Sequence, residues 1–258
     1  HTFFEKYWQN VMAQNMIRVP QGCPTVEKAV ALAVIFSARK EYTTDDPLKI
    51  RLEEGVHQIV GYTSEHGYHC KAVKVTCSHI TFVGKGKDHT TIRGGFKVEN
   101  QQHVKFEGLA ITNDIGDGLD LTRSDVMCDT NVDVLKCCVK ECWGNGMAVT
   151  GGATVTATQC EFMENASSGV FCGHLSTTAR LTDCKVHHNG NDGVCAHDHA
   201  DVDLHGTQTG IHSNKHNGIL AANRATVNIH LPPQHNTTHD NVKEDRNQQS
   251  GGSIANIN

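Results

Sequence analysis

Val104-Lys-Phe106-Glu-Gly-Leu109-Ala-Ile111-Thr-Asn113 sets a pattern that the chain then repeats. Three further segments carry it: Val132-x-Val134-x-x-Cys137-x-Val139-x-x-Cys142, Val155-x-Ala157-x-x-Cys160-x-Phe162-x-x-Asn165, and Ala179-x-Leu181-x-x-Cys184-x-Val186-x-x-Asn189. Each is followed by a glycine that opens a second apolar run: Gly118-Leu-Asp-Leu, Gly146-Met-Ala-Val, Gly169-Val-Phe-Cys and Gly193-Val-Cys-Ala. A looser fifth copy ends at Asn214 and Gly218-Ile-Leu-Ala. The glycines stand 28, 23, 24 and 25 residues apart. A steady period in this range is the signature of a solenoid.

The composition of each repeat selects the kind of solenoid. Val-x-Val and Gly-Val-x-Cys alternate with period 2, the mark of short strands with one buried face. No repeat holds a helical stretch of useful length, which argues against helix-containing repeats. Gly and Asn at fixed offsets supply the backbone freedom that tight corners need. Stacked coils would set Asn113, Asn165, Asn189 and Asn214 in one column of bonded amides, with Cys142 interrupting it. With these features the chain resembles the pectin-lyase-like superfamily over about residues 20–258. The resemblance implies an all-β solenoid: a single-stranded right-handed parallel β-helix with an asparagine ladder and an N-terminal capping helix. It implies much less about activity, because one fold hosts many chemistries.

Outward from the repeats, Val26, Ala29, Val30, Ala33 and Val34 make an apolar helical stripe behind Pro24, and residues 25–40 are expected to be the capping helix. Residues 1–16 place Phe3, Phe4, Tyr7, Trp8, Val11 and Met12 on one helical face. They read as an amphipathic N-terminal helix or the remnant of an upstream segment. Residues 17–258 then form one β-helix domain. Gly61–Lys71 reads as an irregular excursion, Thr122–Thr130 as an insertion, and the polar stretch 231–250 as a C-terminal loop.

A net charge of −5 with 23 Lys+Arg gives no electrostatic footprint for nucleic acid. No run of 18 apolar residues suggests a membrane span. His1-Thr2-Phe3-Phe4 lacks the basic n-region and apolar stretch of a secretion signal. Of the 11 cysteines, Cys137, Cys160 and Cys184 share one inward column and read as small core hydrophobes. Free buried thiols favour an intracellular, reducing compartment. The sequons at Asn165 and Asn236 leave a secreted chain open, although Asn165 belongs to the ladder.

The resemblance places catalytic groups on, and just before, the glycine-opened strand. Before the glycine stand Asp117, Asn145, Ser168, Asp192 and Asn217; two residues after it stand Asp120, Ala148, Phe171, Cys195 and Leu220. Four after it stand Thr122, Thr150, Gly173, His197 and Ala222. Neither the Asp, Asp-pair, Gly-His-Gly and Arg-x-Lys series of polygalacturonases nor the Asp and His set of alginate epimerases is present. Asp117, Asp120 and His197 are what remains as catalytic candidates. Ala148, Phe171, Cys195 and Leu220 should instead form an outward apolar strip, covered by the chain itself or by a partner. His197, His199, Asp201, Asp203 and His205 are the densest set of metal-capable side chains, but no CxxC or HExxH spacing supports them, and a solvated polar edge is the plainer reading. No cofactor is implied. The sequence therefore reads as a β-helix binding module for a polysaccharide or a protein partner, without nucleic acid or membrane; the alternative is a divergent polysaccharide lyase, epimerase or glycoside hydrolase.

Overall fold

The computed structural model describes residues 3–124, 128–232, 235 and 237–257. Helix α1 (Phe3–Gln14) leads into a strand at Met16–Val19 and then helix α2 (Val26–Ser37). Thr25 caps α2, its hydroxyl accepting from the Lys28 amide at 3.3 Å. The helix ends at Ser37, short of the expected 40, where the Arg39 amide turns back to the carbonyl of Phe36, three residues before it, at 2.9 Å. Trp8 stacks on Phe36 at 4.3 Å, so α1 docks on the cap.

Beyond the cap, the described residues form three parallel sheets of ten, eight and eight strands. The long sheet begins with Met16–Val19 and Leu48–Leu52 and ends with Thr226–Ile229 and Ser253–Asn256. The glycine sheet runs from Ala72–Val75 through Leu119–Thr122, Met147–Thr150, Val170–Gly173, Val194–His197 and Ile219–Ala222 to Arg246–Gln249. The third sheet runs from Gly55–Gln58 to Thr238–His239. Each strand pairs with the equivalent strand one coil away, as Val132 does with Val104 and Val155. The repeat thus becomes a β-solenoid, and the residues of a column become spatial neighbours about 4.8 Å apart.

The inward columns make a continuous core. Phe82 and Phe106 stack at 5.1 Å and Phe96 tilts against both. Further along, Cys137, Cys160 and Cys184 are buried and unbridged. Their thiols donate to backbone carbonyls, Cys160 to Val134 one coil back at 3.3 Å and Cys184 to Ala157 at 3.4 Å. Burial pushes the Cys137 thiol up to about 12.

Two expectations change. Gly61–Lys71 contains a small antiparallel hairpin, Tyr62–Thr63 with His69–Cys70. The stretch 231–250, expected as a loop, carries the strands Thr238–His239 and Arg246–Gln249, which continue the third and glycine sheets. Asn247 there pairs with Leu220 and Gln248 with Ala221. These strands lack an apolar alternation, and register with the preceding coil supplies their pairing instead. The sequon at Asn236 lies outside the described residues.

Candidate functional site

Three outward surfaces carry chemistry. The first is the glycine sheet. Strand alternation sends Val170, Cys172, Ile219 and Ala221 into the core. The register then aligns Ala148, Phe171, Cys195 and Leu220 in one outward row. Ala148 and Cys195 are buried, while Phe171 and Leu220 are half-buried. Phe171 gains its cover by folding over Gly173: a Cβ there would lie 2.8 Å from the ring edge. The row continues into charge, with Asp120 beside Ala148 and Lys97 beside Asp120.

The carboxylates of this face are already engaged. Asp120 meets the Lys97 ammonium at 3.4 Å. Asp117 Oδ1 accepts from the Asn145 backbone amide at 2.5 Å and from its side chain at 3.2 Å. Burial raises the Asp117 carboxyl, partly offset by those bonds. Asn145 passes the pattern on by accepting from the Ser168 amide at 3.1 Å. Asp192 does the same for Asn217, at 3.0 and 2.7 Å, and also meets His216 at 2.7 Å. The column before the glycine is therefore a second set of corner bonds. His197 pairs with Asp198 at 3.0 Å, away from both aspartates in sequence and coil.

The second surface lies at the asparagine corner. Asn165, Asn189 and Asn214 are buried, and each amide donates to the next asparagine oxygen at 2.9 Å, ending on Asn241. Cys142 takes the next position back; its backbone amide donates to Asn165 Oδ1 at 3.1 Å, while its thiol donates to Lys140 O at 3.4 Å rather than to the next coil. Asn113 turns inward on its own coil, bonding Asp117 O at 2.7 Å. The residues flanking the ladder face solvent. Just after it, Trp143, Ala166, Gly190 and Lys215 form a row, each amide bonding the coil before. Just before it stand Glu141, Glu164 and His188, all with left-handed backbone, φ 54, 55 and 57.

These residues, with Asp114, line an open trough of about 680 Å³. Ala166 and Gly190 make a low floor. Gly190 is required there, because a Cβ would meet the Ala166 carbonyl oxygen at 2.3 Å. Trp143 rises at one end with 72% of its surface exposed, an unusual state for the largest apolar side chain. Sequence reasoning passed over this surface. Its walls come from adjacent coils, and only the ladder register brings Trp143 beside Ala166, Gly190 and Lys215.

The third surface is the outward face of the long sheet. Of the five metal-capable side chains singled out in the sequence, the structure keeps Asp203 and His205 together and joins them to His230 from the next coil. His197, His199 and Asp201 are not part of that group.

A family model described as a right-handed β-helix region matches residues 63–243. The chain belongs to the right-handed β-helix family. Its fold is that of the pectin-lyase-like β-helix proteins. ORF18 of Geobacillus virus E2 superposes on this β-helix with a TM-score of 0.52 at 10% identity, over 86% of this chain and 54% of that one. The A-module of the Azotobacter vinelandii mannuronan C-5 epimerase AlgE6 does so with a TM-score of 0.37 at 12% identity, over 91% and 96%. A pectin methylesterase from carrot gives 0.44 at 11%, over 94% and 88%. The β-helix spans about half the length of the viral protein. At these identities the likeness concerns the fold alone. No curated protein sequence matches the chain. No described helix of this β-helix is long and apolar enough to cross a membrane.

Proposed function

We propose that this β-helix is a carbohydrate-binding module and that its ligand, a short stretch of a polysaccharide, lies in the trough beside Trp143. The observation that carries this reading is the exposed indole at the end of a low, small-residue floor. A flat aromatic face suits the apolar C–H face of a pyranose ring, and the indole N–H supplies a donor at its rim. Glu141, Glu164 and Asp114 offer acceptors for sugar hydroxyls, while Lys215 and His188 offer donors. The ladder beneath fixes the floor, so little ordering cost falls on binding. Three coil steps of about 4.8 Å separate Trp143 from Lys215, a span of about 14 Å that fits an oligosaccharide.

The test is a polysaccharide panel read by tryptophan fluorescence. Trp8 is stacked on Phe36, so a ligand-induced change reports on Trp143. The variants are compared by calorimetric titration, since Trp143→Ala removes the fluorescent reporter: Trp143→Ala should abolish binding and leave the fold intact, and Phe171→Ala should leave binding unchanged. Loss of binding in Phe171→Ala with Trp143→Ala silent would move the ligand to the strip of Ala148, Phe171, Cys195 and Leu220. Release of shortened or modified sugar, lost on Asp120→Asn, would return the case to a carbohydrate-active enzyme.

A further inference from the structure

We propose that Asp203, His205 and His230 form a binding site for a borderline divalent cation, zinc in the first instance, on the outer face of the long sheet. Strand Asp201–His205 alternates, so Asp203 and His205 leave the same face two residues apart. Leu204 pairs with Ile229, and the His230 amide bonds Leu204 O at 2.8 Å, which sets His230 directly beside His205. The two imidazoles stack at 4.2 Å with an interplanar angle of 7°. One donor atom from each of the three residues lies within 4.8 Å of the others. A tetrahedral zinc with bonds of about 2.1 Å sets its ligands about 3.4 Å apart, so binding would turn the two imidazoles out of their stack to aim a nitrogen from each at the ion.

A second observation points to a ligand. His205 Nε2 is closed off from solvent and has no hydrogen-bond partner. Buried polar atoms are ordinarily satisfied, and a lone imidazole nitrogen is a natural metal donor. Asp203 Oδ1 is held by Asn228 Nδ2 at 3.0 Å and lies 3.3 Å from His230 Nε2. Asn228 therefore orients the carboxylate, as outer partners of metal ligands do. Arg180 stands beside Asp203 in the register of the preceding coil. Two imidazoles and one carboxylate favour zinc, cobalt, nickel or copper over calcium or magnesium. The remaining positions stay open to water.

The test uses the full chain, freed of metal and titrated with Zn²⁺ by calorimetry and with Co²⁺ by visible absorption. One ion per chain is expected, with Co²⁺ giving the d–d bands of a nitrogen- and oxygen-bound ion. His205→Ala, His230→Ala and Asp203→Asn should each weaken binding about tenfold or more. His197→Ala should leave it unchanged. Thermal melts without metal establish that each variant folds, and added Zn²⁺ should raise the melting temperature of the wild type but not of His205→Ala. Undiminished binding in both His205→Ala and His230→Ala overturns the proposal. So does loss of binding on His187→Ala or His212→Ala, which would place the ion on the third sheet, where His187 and His212 also stack.

Discussion

The side-chain amide of Asn189 donates to Asn214 Oδ1 at 2.9 Å, and both residues are fully buried. Asn189 also donates to Phe162 O at 3.1 Å and accepts from the backbone and side chain of Asn165 at 3.1 and 2.9 Å. One side chain thus ties its own coil to the coils on either side of it.

Asn189→Ala should therefore destabilise the protein by roughly 1–3 kcal/mol for the partners left unsatisfied. Asn113→Ala should cost less, because Cys142 separates Asn113 from the ladder and its amide serves only its own coil. Urea melts of the two variants check the ranking; equal losses would mean that the ladder does not act as a unit.

This ladder also marks how far the sequence could be read. The Asn and Gly spacing announced the coils because corners demand particular residues, and strand alternation announced which side of each strand faces out. The final coil was hidden. Asn241 follows Asn214 by 27 residues and closes the ladder, but Asp245 and Arg246 follow where the earlier repeats place a glycine and an apolar residue. The spacing of the asparagines was the signal that would have found it. The Trp143 trough and the His205–His230 pair depend on which residues meet across coils. That is a matter of register, and a window of local sequence does not contain it.

Thiol chemistry should follow burial. Cys128 is exposed and should react first with a thiol reagent on the native protein. Cys137 and Cys160 should react only on unfolding. The Cys137 thiol is pushed up to about 12 by burial, and Cys160 is raised well above its ordinary value by its bond with Cys184 and by burial. Mass mapping of labelled peptides reads this order, and early label at Cys137 would contradict the stacked core.

Acid should weaken the fold through half-buried histidines. His79 is held below its usual 6.5 by burial and by the neighbouring His103, with Glu41 opposing. His212 is lowered by burial and by His187, His239 and His188, with Asp240 opposing. As pH falls through 6.5 the unfolded chain takes up protons that these folded imidazoles refuse. Stability from both groups is complete above 6.5 and is lost as pH drops toward their folded values. The melting temperature should fall between pH 7 and pH 5, and His212→Phe should flatten that slope. A pH-independent melting temperature over this range would count against it.

Gly173 and Phe171 should be coupled. A methyl at 173 collides with the Phe171 ring, so Gly173→Ala should cost about 1–3 kcal/mol by displacing it. In a Phe171→Ala background the same change should be close to neutral. A double-mutant cycle in urea measures the coupling, and simple additivity would show that the ring does not rest on the glycine.

The insertion between Thr122 and Thr130 is closed at its own base. Thr130 donates its hydroxyl to Thr122 O at 2.7 Å, and Arg123 meets Asp129 at 3.0 Å. On either side the strands keep their places, Leu119 against Met147 and Asn131 against Thr154. The solenoid therefore does not register how much chain passes between these two threonines. Doubling the length of such a loop costs only about 0.6 kcal/mol in closure entropy. A foreign peptide grafted between Ser124 and Cys128 should be displayed from the side of the rod without disturbing a single coil, which makes this corner a port for cargo.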